Sequence, residues 1–262
     1  MGLRQMADND LLIDSTKTDE VRRIMEDHGY ETVEFSQGIH DIYYKKPVLN
    51  FEMHSALFEE HVSKRFCEYY ANVKEKLIKN EGKLYEYHFS REDFYVYLIA
   101  HEYNHFSRAG TGLRSLLDTY VYLKREKINM NYVSEETNKL GILDFEKKNR
   151  ILAMKLFDGG KLTDAEWQTL DYFINSGAYG NYDNLVDNQR TKKGWSRFQY
   201  LSHRFFVPIS KKNPYYARFA AKYPFFYRHK ILLPLLPIHR LIMAVRNGRF
   251  KGEMDAVKNN GK

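Results

Sequence analysis

Asp8 and Asp10 stand two residues apart in the stretch Met6-Ala-Asp-Asn-Asp-Leu-Leu-Ile-Asp14. Leu11, Leu12 and Ile13 form an apolar run between polar residues, which reads as a short strand. Side chains alternate faces along a strand, so the two carboxylates project the same way. Like charges held side by side repel, and a divalent cation between them relieves the repulsion. Hard oxygen donors of this kind suit Mg²⁺ or Mn²⁺. The plainer reading is a pair of solvated acids at a sheet edge. A second stretch, Pro47-Val-Leu-Asn-Phe-Glu-Met-His-Ser55, is also apolar-rich and puts Glu52 and His54 on one face. A third carboxylate from a neighbouring strand would complete a site for one or two ions. Such a site polarises a phosphoryl group and stabilises attacking and leaving oxygens.

With these residues in place the chain resembles a known family. Arg4-Gln-Met-Ala-Asp-Asn-Asp-Leu-Leu-Ile13, then Gly29-Tyr30, then Phe51-Glu-Met-His54, is similar to the uncharacterised nucleotidyltransferase family of the polymerase-beta-like superfamily. The likeness continues through Gly110-Thr-Gly-Leu-Arg-Ser-Leu-Leu-Asp118 and into Tyr223-Pro and Leu232-Leu-Pro-Leu-Leu-Pro237, so it covers most of the chain. It implies transfer of a nucleotidyl group from a nucleoside triphosphate to an acceptor that the sequence does not identify. It also implies that Asp8, Asp10 and Glu52 are the catalytic residues and hold Mg²⁺ or Mn²⁺. His54 would support Glu52 or touch substrate, and Arg4 and Arg114 would contact phosphates. In the superfamily a Gly-Ser turn precedes the metal-binding acids and cradles the phosphates. Only seven residues precede Asp8 here, Gly2 is a weak substitute, and no Gly-Ser lies among them. The expectation is a chain that starts inside its catalytic domain, or a non-catalytic binding or scaffold relative.

Two further constellations have two readings each. His101-Glu-Tyr-Asn-His105 matches the zinc-hydrolase pattern, with two histidines on one helix face and Glu102 as base. The downstream Gly and His that usually accompany it are absent, and Glu126 is a distant third ligand. The alternative is a histidine pair that lines a cleft or satisfies core hydrogen bonds. Arg114 and Asp118 follow Gly110-Thr-Gly112 and lie one helical turn apart. They form either an i,i+4 ion pair or, with the loop N–H groups, an anion site at a helix N-terminus. The likeness to the family includes Gly112, Arg114 and Asp118 and favours the second. Asp14 shares the parity of Asp8 and Asp10 but is expected to cap the following turn.

The elements that must position these groups give an α+β fold: a small mixed sheet of nucleotidyltransferase type, then a mostly helical C-terminal region. A helix is expected over 18–29, with Val21, Ile24 and Met25 inward. Strands follow at Tyr30–Phe35, Ile39–Lys46 and Val48–His54. The periodicity predicts one long helix over 55–80, no strand after about residue 90, and helices near 91–107, 113–125, 131–140, 143–157, 164–175 and 184–205. Short Pro-delimited helices finish the chain, with fraying from about Gly252. The three segments 1–88, 89–180 and 181–262 read as core, helical domain and basic aromatic region.

The charge is uneven. Residues 192–262 carry 16 Lys or Arg against Glu253 and Asp255, whereas residues 1–191 carry a net −7. Trp195, Phe198, Tyr200, Phe205, Phe206, Tyr215, Tyr216 and Phe219 alternate with those bases. They read as core rings, as a dock on an anionic membrane surface, or, least well supported, as a nucleic-acid platform. A single cysteine, Cys67, excludes an internal disulfide. With no signal peptide and no run of ~18 apolar residues, a cytoplasmic protein is expected, with peripheral attachment to a membrane as the alternative that the basic aromatic region offers.

Overall fold

The structure is a computed structural model that describes residues 8–59, 63–178, 180–206, 209–213 and 215–259. The packing forms two compact units, Met1–Ala71 with Val207–Leu236, and Asn72–Phe206 with Pro237–Lys262. This grouping differs from the three segments drawn along the sequence. The class is α+β, as expected, with a small mixed sheet followed by helices.

In the first unit, strand β1 (Asn9–Leu12), helix α1 (Thr18–Asp27) and strands β2 (Glu31–Glu34), β3 (His40–Lys45) and β4 (Leu49–His54) appear where the periodicity puts them. The sheet order is β1-β4-β3-β2, with β1 parallel to β4 and the other pairs antiparallel. Pleating divides the strand residues into two faces. The odd-numbered face buries Tyr43 and Met53 against Met25 of α1, with Ile13, Val21, Tyr30 and Phe51 around them. The even-numbered face carries Asp8, Asp10, Asn50, Glu52, His54 and His40. Leu12, Ile42 and Tyr44 share that even-numbered face with the polar groups. Ile24 corrects the expected α1 stripe: it is exposed. Asp14 caps the turn after β1, its carboxylate accepting from the Thr16 N–H and hydroxyl at 3.0 and 2.8 Å.

The expected long helix over 55–80 does not form. Ser63 accepts from the Phe66 N–H and starts a new helix, α2 (Lys64–Tyr69). A 3₁₀ turn at Val73–Lys76 and a strand, β5 (Leu77–Lys79), follow. The helical-looking spacing of aromatics comes instead from a knot of rings, with Phe58 5.0 Å from Phe66 and 5.3 Å from Tyr70. Cys67 is a packing residue there, its thiol donating to the Phe58 carbonyl at 3.1 Å.

In the second unit β5 pairs with β6 (Tyr87–Phe89), both unforeseen as strands. Ser90 caps α3 (Arg91–Phe106), which leads to α4 (Leu113–Arg125), α5 (Met130–Leu140), α6 (Leu143–Phe157) and α7 (Asp164–Ser176). Thr163 and Glu166 form the expected capping box of α7. Leu116, Leu152, Ala153, Leu170 and Phe173 make the core between these helices. The expected helix over 184–205 is two helices. α8 (Tyr182–Lys193) stops at Gly194, whose φ of 63° is left-handed, and α9 (Arg197–Phe205) restarts at the Ser196–Gln199 capping box.

Two short helices, α10 (Tyr216–Lys222) and α11 (Pro224–Arg228), belong to the first unit. α12 (Leu236–Arg246) and α13 (Arg249–Asn259) follow. The expected fraying from Gly252 gives way to helix, because Ala256 and Val257 bury against Val186 and Tyr200. Glu253 also accepts from Tyr200 and Arg204, at 3.0 and 2.6 Å. Among the described residues, no helix is long and apolar enough to cross a membrane.

Candidate active site

β1 and β4 run in parallel with Asp10 opposite Glu52 and Leu12 opposite His54. Neighbouring strands lie about 4.8 Å apart, so a facing pair of acids is forced together. Asp8, two residues back on the same side, joins them: one carboxylate oxygen of each lies within 4.8 Å of the others. Three sequence-predicted acids therefore meet on one face. Asp8 and Glu52 are half-buried and Asp10 is exposed. Burial raises the Glu52 carboxyl above its ordinary range. The carboxylates of Asp10 and Asp8 push it further up, and His40 and His54 pull it back. A divalent cation reverses the repulsion that these acids impose on one another, and the all-oxygen donor set fits Mg²⁺ or Mn²⁺.

His54 touches Asp10 more closely than the expected Glu52. Its Nε2–H donates to Asp10 Oδ1 at 3.0 Å and lies 3.8 Å from Glu52 Oε2. A histidine hydrogen-bonded to a carboxylate fixes which way that carboxylate points.

His40 is a site residue that the sequence reading missed. It sits on β3 opposite His54, its ring centroid 5.2 Å from that of His54, with Nε2 3.9 Å from Glu52 Oε2. The signal was present. Lys45 pairs with Leu49 across Pro47, so each strand residue faces its mirror about position 47, and 40 mirrors 54.

Arg4 is outside the described residues. Arg114 and Asp118 are on α4, in the second unit. Their Gly-x-Gly loop has a packing reason. Gly110 has a φ of 87°, and a Cβ there would overlap the Ser176 side chain and come within 2.7 Å of Asn184 Nδ2. A Cβ on Gly112 would lie 2.6 Å from the Gly177 carbonyl oxygen. Gly110→Ala is expected to cost at least about 2 kcal/mol. In a chain of this size that lowers the thermal midpoint by about 4–8 °C, measurable by circular dichroism.

The zinc-hydrolase alternative loses its base. His101 and His105 do share a face of α3, with Nε2 atoms 3.3 Å apart. Glu102 instead faces the core, where Asn149 Nδ2 donates to its Oε2 at 3.0 Å and Thr119 Oγ1 at 3.4 Å. Burial pushes the Glu102 carboxyl up to about 8. Glu126, the distant third ligand, pairs with Arg91 at 3.1 Å. Among the described residues, no further His, Cys, Asp or Glu completes a metal cluster with the two histidines.

The basic aromatic region divides between burial and exposure. Tyr200 and Tyr227 are buried, and Trp195 stacks on His203 at 4.5 Å, whereas Phe198 and Phe206 are exposed. The bases do not all face solvent alone, since Arg204 pairs with Glu253.

No curated protein and no solved structure matches the chain. A family model described as "Uncharacterised nucleotidyltransferase" matches residues 1–158, a span that includes Asp8, Asp10, His40, Glu52 and His54. The chain therefore belongs to the uncharacterised nucleotidyltransferase family and has that family's general function.

Proposed function

We propose that this protein is a metal-dependent nucleotidyltransferase that moves a nucleotidyl group from a nucleoside triphosphate to an acceptor, with Asp8, Asp10 and Glu52 holding Mg²⁺ or Mn²⁺. The observation that carries the reading is the convergence of three carboxylates from two parallel strands on one sheet face. Bound there, divalent ions supply Lewis-acid polarisation of the phosphoryl group and neutralise charge on the leaving pyrophosphate. The chain's own contribution is geometric. β1 and β4 fix the spacing of Asp10 and Glu52, and Asp8 follows from the pleat. His54 orients Asp10 through the Nε2–H hydrogen bond. The apolar layer of Tyr43, Met53 and Met25 behind the sheet keeps the strands from shifting register.

Calorimetry tests the reading against a non-catalytic scaffold. The protein is expected to bind a nucleoside triphosphate only when Mg²⁺ is present, and Glu52→Gln is expected to lose that binding. Absence of Mg²⁺-dependent binding for all four common ribonucleoside triphosphates would support the scaffold instead.

A further inference from the structure

We infer that the same sheet face carries a second, chemically different cation position, built from His40, Glu52 and His54, that takes a borderline-soft divalent ion of the Zn²⁺ class. The inference rests on the transferase reading in that Glu52 serves both positions and His54 Nε2 is shared between orienting Asp10 and binding the second ion. It starts from register. β3 and β4 place His40 directly opposite His54, and Glu52 lies two residues before His54 on the same side. Glu52 Oε2 is then 3.9 Å from His40 Nε2 and 3.8 Å from His54 Nε2, and the three donor atoms all lie within 4.8 Å of one another.

These separations are too long for hydrogen bonds. They are close to what an ion between the atoms would impose. Bonds of about 2.0–2.1 Å at a tetrahedral centre put neighbouring ligand atoms about 3.3 Å apart. Closing the two Glu52–histidine separations from 3.8–3.9 Å needs about half an ångström each, and the His40–His54 separation, within 4.8 Å, needs at most about 1.5 Å of side-chain movement. His54 Nε2 is also 3.0 Å from Asp10 Oδ1. An ion bound to Nε2 would replace that hydrogen bond and leave the ring's hydrogen on Nδ1.

Donor chemistry separates the two positions. Asp8, Asp10 and Glu52 offer oxygen alone, which suits an octahedral, water-retaining Mg²⁺. Two imidazoles and one carboxylate instead suit Zn²⁺, Co²⁺ and their neighbours. Two neutral imidazoles also add no charge to a face that already holds three acids. His40 and His54 are the side chains on β3 and β4 that make this difference. The two positions share one carboxylate, so occupation of the nitrogen-rich one constrains how Glu52 presents its oxygens to the other.

Co²⁺ is the probe, because its visible bands report nitrogen ligation. The full chain, stripped of metal and kept in excess Mg²⁺, is titrated with Co²⁺. One equivalent is expected to generate the bands, and Zn²⁺ is expected to bleach them. His40→Ala is expected to weaken Co²⁺ binding at least tenfold, whereas Asp8→Asn keeps the bands. Bands that are absent, or unchanged in folded His40→Ala, overturn the inference. If the variant does not fold, proton NMR of the Co²⁺-loaded native chain decides. Two hyperfine-shifted, exchangeable imidazole N–H signals are expected, and fewer than two overturn it. Asp8→Asn also separates the two readings. Bands that persist with loss of Mg²⁺-dependent transfer support both, and bands in a native chain with no transfer uphold the metal position while the transferase reading falls.

Discussion

Asp10→Asn is expected to abolish Mg²⁺-dependent nucleotidyl transfer while leaving the fold intact. The substitution keeps size and shape and removes one negative charge. On the proposed reading it would cost a bound cation a ligand at the position directly opposite Glu52. It also changes what His54 sees, since the 3.0 Å hydrogen bond to a carboxylate becomes one to a neutral amide. The effect on rate should be at least a hundredfold, because an ion that is misplaced supplies neither charge nor orientation to the phosphoryl group. Stability should change little, as the Asp10 side chain is 52% exposed and sits at the sheet edge. Steady-state transfer together with a thermal melt reads both. Full activity in Asp10→Asn removes the metal assignment, and a collapsed melt would show that the residue serves the fold.

The second large effect concerns stability and pH. Glu102 is 4% exposed on α3, and its folded pKa stands at about 8 against an ordinary 4.5, because burial disfavours the charged form. Asn149 and Thr119 pull it back through hydrogen bonds, and Asp118 adds to the rise. Oε1 of Glu102 and Oδ1 of Asn149 are both buried acceptors without a donor. A proton on the carboxyl supplies one. Between pH 4.5 and 8 the folded chain keeps that proton and the unfolded chain has released it. Stability is therefore full below about pH 4.5, falls as pH rises through this window, and levels off above about 8. Each unit is about 1.4 kcal/mol, so the loss is of the order of a few kcal/mol. Glu102→Gln carries a permanent donor and no ionisable proton. Its urea midpoint is expected to match that of the native chain at pH 4.5 and to exceed it clearly at pH 9. Parallel midpoints across that range would contradict the account.

Local signals made the sheet unit legible. Alternation in β3 and β4, the apolar run of β1 and the paired acids needed only the period of a strand to be read. The Asp10–Glu52 pairing followed from two strands being adjacent, which the sequence implies but does not state. His40 escaped because its role depends on register across Pro47 and not on a motif. The helix over 55–80 failed for the opposite reason. Phe58, Phe66 and Tyr70 recur at helical spacing and their rings do meet, yet Ser63 caps a separate short helix at Lys64–Tyr69. Ser196 and Gln199 were a readable break in the helix over 184–205, outweighed by the run of bases and rings around them. His101-Glu-Tyr-Asn-His105 shows the limit of a pattern. The spacing holds on α3, but tertiary packing turns Glu102 toward Asn149 and away from any role as a base at the histidine pair.

The most direct test of the central claim is anomalous scattering from crystals of the protein grown with Mn²⁺ and a non-hydrolysable nucleoside triphosphate. The account predicts a peak bonded, at about 2.0–2.2 Å, to oxygens of Asp8, Asp10 and Glu52 together. Mn²⁺ bound only elsewhere, or a Glu52 carboxylate turned away from the two aspartates, would contradict it.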